Sequence, residues 1–373
     1  MRLFQLLAST TALFTSSTAL AETYRTESGP ITAEVLAEGL EHPWGRAFLP
    51  DGALLVTERA GALRILRNGV LSAPVEGLPR IAVAGQGGLL DVATPPNYAT
   101  DGHVYFTYSE PGEGGAGTAL ARGRLVEKGG AARLDNVERL FSMKKKTGRG
   151  QHFGSRIVFA PDGTLWITTG DRGDSDRAQD FADSAGAVLR LNRDGSIPAD
   201  NPFADGSIGL PVLWSKGHRN LQGADYDALT QNLVTVEHGA RGGDEINLPA
   251  AGKNYGWPVI SYGRHYSGQK IGVGQRKRGY EQPIWHWDPS IAPSGLAVYD
   301  GAMFGEWKGD ILVGALKYQM LVRLKRDASG AITGEERMLE GEFGRIRDVE
   351  IAPDGAVLLA TDEPDGRIVR LSR

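Results

Sequence analysis

The chain has no cysteine, and after its first 21 residues it has no apolar run long enough to span a bilayer. The first absence removes disulfides, thiolate nucleophiles and metal sites built on cysteine. An exported chain without disulfides has to rest on burial, and the residues from 22 to 373 suffice for a large core. Positive charge is not in excess either: 41 Lys and Arg against 45 Asp and Glu give a net charge of −4. That balance gives no reason to expect a nucleic-acid partner. No Gly-rich phosphate loop stands between a strand and a helix, which argues against a nucleotide. No serine occupies a nucleophile-elbow context, so acyl-transfer hydrolysis has no support.

What is present begins with "MRLFQLLASTTALFTSSTALA". One early positive charge, an apolar middle and small residues ending at Ala19-Leu20-Ala21 form the layout of a secretory signal peptide over 1–21. The mature chain is expected to be periplasmic or secreted, with no membrane insertion, and 22–373 reads as a single domain. Its 51 glycines follow no collagen period and imply many tight turns.

A local pattern recurs. "PDGALLVTER" begins at Pro50, "PDGTLWITTG" at Pro161 and "PDGAVLLATD" at Pro353, each a Pro-Asp-Gly turn feeding a β-rich run. Strand-after-strand segments start at Ala53, His103, Thr164, Asn232, Asp310 and Ala356. Six units of about 59 residues exceed the ~40–50 of a four-stranded propeller blade, leaving room for functional loops. The expected fold is all-β, a six-bladed β-propeller with four-stranded antiparallel blades. A sandwich or a two-domain β protein is the alternative. "ITAEVLAEG" near the start is placed to close the ring on the last blade.

Polar clusters fall in the Gly-rich loops where a propeller gathers its chemistry. They are "AGQGGLLD" with Gln86, "GQHFGSR" with His152, "WSKGHRNLQG" with Arg219 and Asn220, "VEHGARGGDEINLPAAGKNYGWP", and "GRIRD" with Arg345 and Arg347, preceded by Lys317. Several cations at one channel mouth suit a polycarboxylate, since guanidinium matches carboxylate geometry; solvated strand-end charges are the bland reading of each. Glu237, Asp244, Glu245, Asn254 and Tyr255 offer hard oxygen donors, which point to calcium rather than zinc. A polar surface loop explains them equally simply. "MKKKTGR" at 143–149 reads as an exposed, mobile loop. His152 titrates near neutrality and suits proton abstraction from an alcohol, with Asp171 placed to hold its tautomer. On composition alone a structural loop histidine remains the simpler reading.

Taken together, "GQGGLLD", "QHFGSRI…PDGTLWITTGD", "GHRNLQG", "EHGARGGDEINL…GKNYGWP" and "GRIRD" resemble the soluble pyrroloquinoline quinone (PQQ)-dependent aldose sugar dehydrogenases, the glucose/sorbosone dehydrogenase-like propellers. The resemblance spans nearly the whole mature chain. It implies that His152 is the general base, that Asp171 orients it, and that Arg219 stabilises the charge developing on the quinone. It implies a cofactor grip by Gln86, Arg219, Asn220, Tyr266, Lys317, Arg345 and Arg347. Calcium would take main-chain oxygens of Gly239 and Ala240, with Glu245 and Tyr255 where this branch of the family binds calcium. The glucose dehydrogenases of the family carry proline at the Ala240 position, and a main-chain carbonyl serves from either residue. Sugar-contacting and dimer-interface loops are shorter or different here, so strict glucose preference and dimerisation do not carry over, and a monomer is expected.

The reaction so implied oxidises the anomeric hydroxyl of an aldose to an aldonolactone and hands electrons to an external acceptor. Two rivals stay open on the sequence. A calcium-dependent propeller lactonase needs no convergent cation set for a polycarboxylate. A non-catalytic exported propeller that binds glycans or proteins predicts spare aromatics at the channel. Trp214, Trp257, Trp285 and Trp287 occupy plausible loops, so the aromatics do not discriminate.

Overall fold

The structure, a computed structural model, describes residues 21–373. The segment read as a signal peptide therefore lies, but for Ala21, outside the described residues.

Six antiparallel sheets follow one another along the chain. Blade 1 (43–71), blade 2 (89–142), blade 3 (157–216), blade 4 (221–287) and blade 5 (293–338) each have four strands in simple up-and-down order. Blade 6 takes three strands from the C-terminus (346–372) and two from the N-terminus, Glu22–Thr26 and Gly29–Leu40. The first strand of each blade packs against the first strand of the next, and blade 6 returns to blade 1. This is the expected six-bladed propeller. The Pro-Asp-Gly turns join the first and second strands of blades 1, 3 and 6.

Second strands are covered on both faces by neighbouring blades. Leu54–Glu58, Thr164–Thr169 and Val357–Thr361 are buried at every position. That is why these runs read as continuously apolar or β-branched rather than alternating. Between blades 1 and 2, Leu55, Leu63, Val104 and Phe106 are completely buried, each such side chain contributing roughly 1.5–3 kcal/mol. Gly29–Leu40 pairs with Gly366–Ser372, Ala33 opposite Leu371 and Val35 opposite Val369. Ile31 and Ala33 thereby enter the core shared by blades 5 and 6. Ring closure by the N-terminal strand, expected from "ITAEVLAEG", is observed.

Helix is almost absent, a four-residue turn at Tyr98–Asp101 and two short 3-10 segments. Among the described residues no helix is long and apolar enough to cross a membrane. The 143–149 loop is pinned rather than free: Met143 is buried, Lys146 Nζ donates to Glu110, and Arg177 Nη2 donates to Lys145 O at 2.8 Å. Lys146 is a long amphipathic side chain lying over its own loop, a contact that local composition does not disclose.

All six innermost strands run in the same direction, so their preceding loops meet at one mouth. Those loops carry Gln86, His152, Arg219 with Asn220, Ser290 and Arg345. A cavity of about 900 Å³ opens at the opposite end, near Phe48, Thr94, Phe159, Asp300 and Ile351. Its lining holds no histidine and none of the predicted site residues, so size does not mark the chemical end.

Candidate functional site

His152 precedes blade 3 with φ +56°, a left-handed conformation that histidine tolerates better than most residues but that stores strain. Three contacts impose it. Gln86 Oε1 accepts the His152 N–H at 2.8 Å. A Cβ on Gly170 would stand 2.2 Å from the His152 carbonyl oxygen, so glycine is required for the two loops to meet. The Arg172 guanidinium lies 3.3 Å from the Phe153 ring centroid and donates to the carbonyls of Gln151 and, at 2.8 Å, Arg149.

The imidazole Nδ1 is 2.6 Å from Asp171 Oδ1. The same carboxylate accepts the Gly173 N–H at 2.7 Å and Trp257 Nε1–H at 2.9 Å. Burial raises the Asp171 pKa, but the His152 hydrogen bond and the charges of His152 and Arg219 prevail and hold it below the usual aspartate value. Burial lowers that of His152, against the pull of Asp171. The result is an ionised carboxylate holding a neutral ring. With an acceptor at Nδ1, the proton is assigned there, which leaves the Nε2 lone pair free.

Two other blades repeat the imidazole–carboxylate pair: His218 Nδ1 with Glu237 Oε1 and His42 Nδ1 with Asp362 Oδ1, both at 2.8 Å. His218 is wholly buried, and its Nε2 bonds Ser215 Oγ at 2.9 Å. Asp362 is shared by His42 with Arg59, Arg345 and Arg347. Of these three pairs, only His152–Asp171 joins an imidazole with an unbonded second nitrogen to a carboxylate that pairs with no arginine.

The cations converge from blades 4, 5 and 6. Arg345 and Arg347 alternate along an extended segment and both reach Asp362, at 3.6 and 2.5 Å. Arg347 is buried and also bonds Gln222 Oε1 at 2.8 Å, so it belongs to the scaffold as much as to the mouth. Arg345 keeps 42% of its side chain exposed. Its Nη1 lies 3.4 Å from Leu316 O, beside Lys317, whose Nζ donates to Ser290 O at 3.2 Å. Arg219 Nη1 is 3.3 Å from His238 O, and its guanidinium is 5.3 Å from the Trp257 ring centroid. Asn220 Oδ1 faces the scaffold, accepting from Gly154 N–H at 3.3 Å and Gln222 Nε2 at 3.2 Å. Burial, then the charges of Arg219, Arg347 and His152, push His238 down to about 3. Tyr266 stands apart, 75% exposed on an outlying hairpin.

Of the predicted metal residues Gly239, Glu245 and Tyr255 border a cavity of about 10 Å³, room for a single water or ion, and Ala240 lies outside its lining. Glu237 is satisfied by His218, Asn247 at 3.0 Å and the Arg219 N–H at 2.6 Å. Glu245 has Asn247 Nδ2 at 3.1 Å and no basic partner among the described residues. Burial and the charge of Glu237 push Glu245 up to about 8. A buried and a half-buried carboxylate short of positive charge suit a hard cation. The Tyr255 hydroxyl is committed to Leu248 O and the Ala250 N–H, so only its main-chain oxygen is left to offer. Among the described residues no three acidic or histidine side chains make a ready metal cluster; an ion here needs main-chain oxygens such as those of Gly239 and Ala240.

Sequence reasoning missed Trp257 as a partner of Asp171, along with Arg172, His238 and Asp362. One signal was available. An acidic residue lies within two positions of the end of the second strand in five blades, at Glu58, Glu110, Asp171, Glu237 and Asp362. In every case its carboxylate ties a neighbouring loop.

Residues 40–370 match the family described as Glucose / Sorbosone dehydrogenase. The chain is 40% identical over 347 residues to aldose sugar dehydrogenase YliI of Escherichia coli, covering 92% of this chain and 93% of that protein. The apo crystal structure of the soluble aldose sugar dehydrogenase from Escherichia coli superposes with a TM-score of 0.88 at 40% identity, covering 92% and 99% of the two chains. The PQQ-bound aldose sugar dehydrogenase from Streptomyces coelicolor gives 0.76 at 30% identity, covering 92% and 98%. The fold, the mouth and these likenesses agree, and the chain belongs to the glucose/sorbosone dehydrogenase family of propeller oxidoreductases.

Proposed function

We propose that this chain is an exported, monomeric aldose dehydrogenase that uses PQQ and calcium to oxidise the anomeric hydroxyl of aldoses to lactones. The observation that carries this reading is the His152–Asp171 pair at 2.6 Å, set in a mouth ringed by cations from separate blades. Arg345 and Lys317 have weak partners and retain charge for an anionic cofactor. Arg219, Asn220, Gln86 and Arg347 complete its walls, and Tyr266 supplies an outer contact. Glu245, with main-chain oxygens of Gly239, Ala240 and Tyr255, would hold the calcium.

PQQ and calcium, when bound, supply the hydride acceptor and its polarisation; the protein supplies position and electrostatics. His152 Nε2 accepts the hydroxyl proton while Nδ1–H stays bonded to Asp171. Asp171 remains ionised and stabilises the imidazolium so formed. Trp257 and Gly173 fix the carboxylate, and Gln86 and Arg172 fix the loop. The buried Arg219 guanidinium faces developing negative charge at no cost of reorganisation.

General-base assistance is usually worth ~10²–10⁴ in rate. His152→Ala should lose turnover on that order with xylose or glucose and a dye acceptor, while PQQ titrated by absorbance still binds. Near-normal turnover in the purified variant would refute the assignment. Lactone hydrolysis indifferent to PQQ would replace the whole reading with that of a lactonase.

A further inference from the structure

Residues 246–280 contain six Lys and Arg and no Asp or Glu, in a chain whose net charge is −4. Their loop emerges between the third and fourth strands of blade 4. Isolated bridges pair Arg241 with Arg264, and Arg264 with Lys270, all antiparallel. Directly opposed residues of an antiparallel pair share a face, so three cations stand in a row across three short segments. With neighbouring strands about 4.8 Å apart the row is roughly 10 Å wide. Arg276, Lys277 and Arg278 follow in the same loop, and all six side chains belong to exposed residues.

This row repels itself. No carboxylate lies within ion-pair distance of Arg241, Arg264, Lys270, Arg276, Lys277 or Arg278 among the described residues; Glu281 is taken by Lys253 at 2.9 Å. Like charges directly opposed on a sheet are destabilising, so the arrangement costs stability unless something anionic covers it. Tyr266 lies on the same hairpin, 75% exposed, and Val273 is 57% exposed. Arginine, tyrosine and a little apolar surface make the composition of a protein interface. The cations spread over an outer surface and are not gathered into a pocket, which suits a macromolecule better than a sugar. Arg241 directly follows Gly239 and Ala240, so the face adjoins the cofactor mouth.

We propose that the basic face formed by Arg241, Arg264, Lys270 and Arg276–Arg278 docks an acidic one-electron carrier protein that reoxidises the reduced cofactor. This rests on the oxidoreductase reading. Each sugar oxidised loses the hydrogen on its anomeric carbon and the hydroxyl proton as the lactone C=O forms. Two electrons therefore leave, one to each of two carrier molecules, and two protons go to solvent.

The test uses mitochondrial cytochrome c, which is basic, and its fully succinylated form, which carries a similar haem on an acidic surface. Binding to the full chain is measured by titration calorimetry without sugar, with and without PQQ and calcium. Succinylated cytochrome c should bind and native cytochrome c should not, with affinity falling about tenfold or more between low and physiological salt. The triple variant Arg276→Glu/Lys277→Glu/Arg278→Glu should lose about tenfold in binding, yet reduce a neutral dye at the parent rate. Equal binding of the two cytochromes, or a triple variant that binds like the parent, would overturn the proposal. So would charge-dependent capture of phosphatidylglycerol vesicles with no discrimination between cytochromes. Selective docking without PQQ-dependent sugar oxidation would instead overturn the function and leave an acidic-protein docking face.

Discussion

In the proposed reaction the free Nε2 of His152 fixes the pH range over which a hydroxyl proton can be taken. Burial lowers the pKa of this imidazole from its ordinary 6.5. The ring must be neutral to act, so activity is lost as pH falls through the lowered value, not at 6.5. The acid limb of kcat/KM should lie below pH 6.5, and a limb above it would contradict the burial seen here. Trp257 acts one step back: its indole N–H holds the oxygen of Asp171 that His152 does not use. Trp257→Phe keeps the ring over Arg219 and removes that donor. It should lower kcat about tenfold by misplacing the base, with the sugar KM within about twofold and PQQ absorbance unchanged; a shift in KM alone would make Trp257 a substrate contact. His152 and Asp171 were legible because both flank a recognisable turn–strand repeat. Trp257 was not, because 86 residues separate it from its partner and local pattern carries no trace of the encounter.

Elements in this molecule meet through their backbones. A Cβ on Gly295, in the first strand of blade 5, would lie 2.4 Å from Asp348 Oδ1 and 2.6 Å from its Cα in blade 6. No rotamer relieves a backbone clash, so Gly295→Ala should cost about 1–3 kcal/mol, read as a lower urea midpoint at unchanged slope. Asp348 also accepts from Arg156 at 2.8 Å and Arg46 at 3.2 Å, while Arg156 reaches Asp91 at 3.1 Å. These buried ions join blades 1, 2, 3 and 6 across the channel. Six strand pairs could be counted from turns and β-rich runs, since those are local signals. The cross-channel ions could not: each is a charged residue in or beside an innermost strand, which pattern alone reads as solvent-facing.

At the scale of the whole molecule the ring is held shut by one strand, Gly29–Leu40. Without residues 22–40 Gly366–Ser372 becomes an open edge, and Trp307 loses the Ser28 hydroxyl that its indole N–H reaches at 2.6 Å. A mature chain lacking residues 22–40 should unfold well below the parent temperature, by roughly 10 °C or more for a loss of several kcal/mol, and should self-associate through the freed edge. Unchanged thermal unfolding would mean that blade 6 is stable without its closing strand. The same ring geometry gathers the site, because loops that precede six parallel-running innermost strands have to share one mouth.

The sequence alone determined the period, the turns, the acidic and imidazole side chains and the loops that bear them, because strand patterning and turn chemistry are properties of neighbouring residues. Tertiary structure decided which of three imidazole–carboxylate pairs keeps a free nitrogen and a carboxylate that no arginine shares, and which arginines are spent on Asp362. It also decided where a cation could sit between Glu237 and Glu245. Those outcomes depend on distances between blades, and a distance across the ring is set by the closure of all six sheets, which no single stretch of chain encodes.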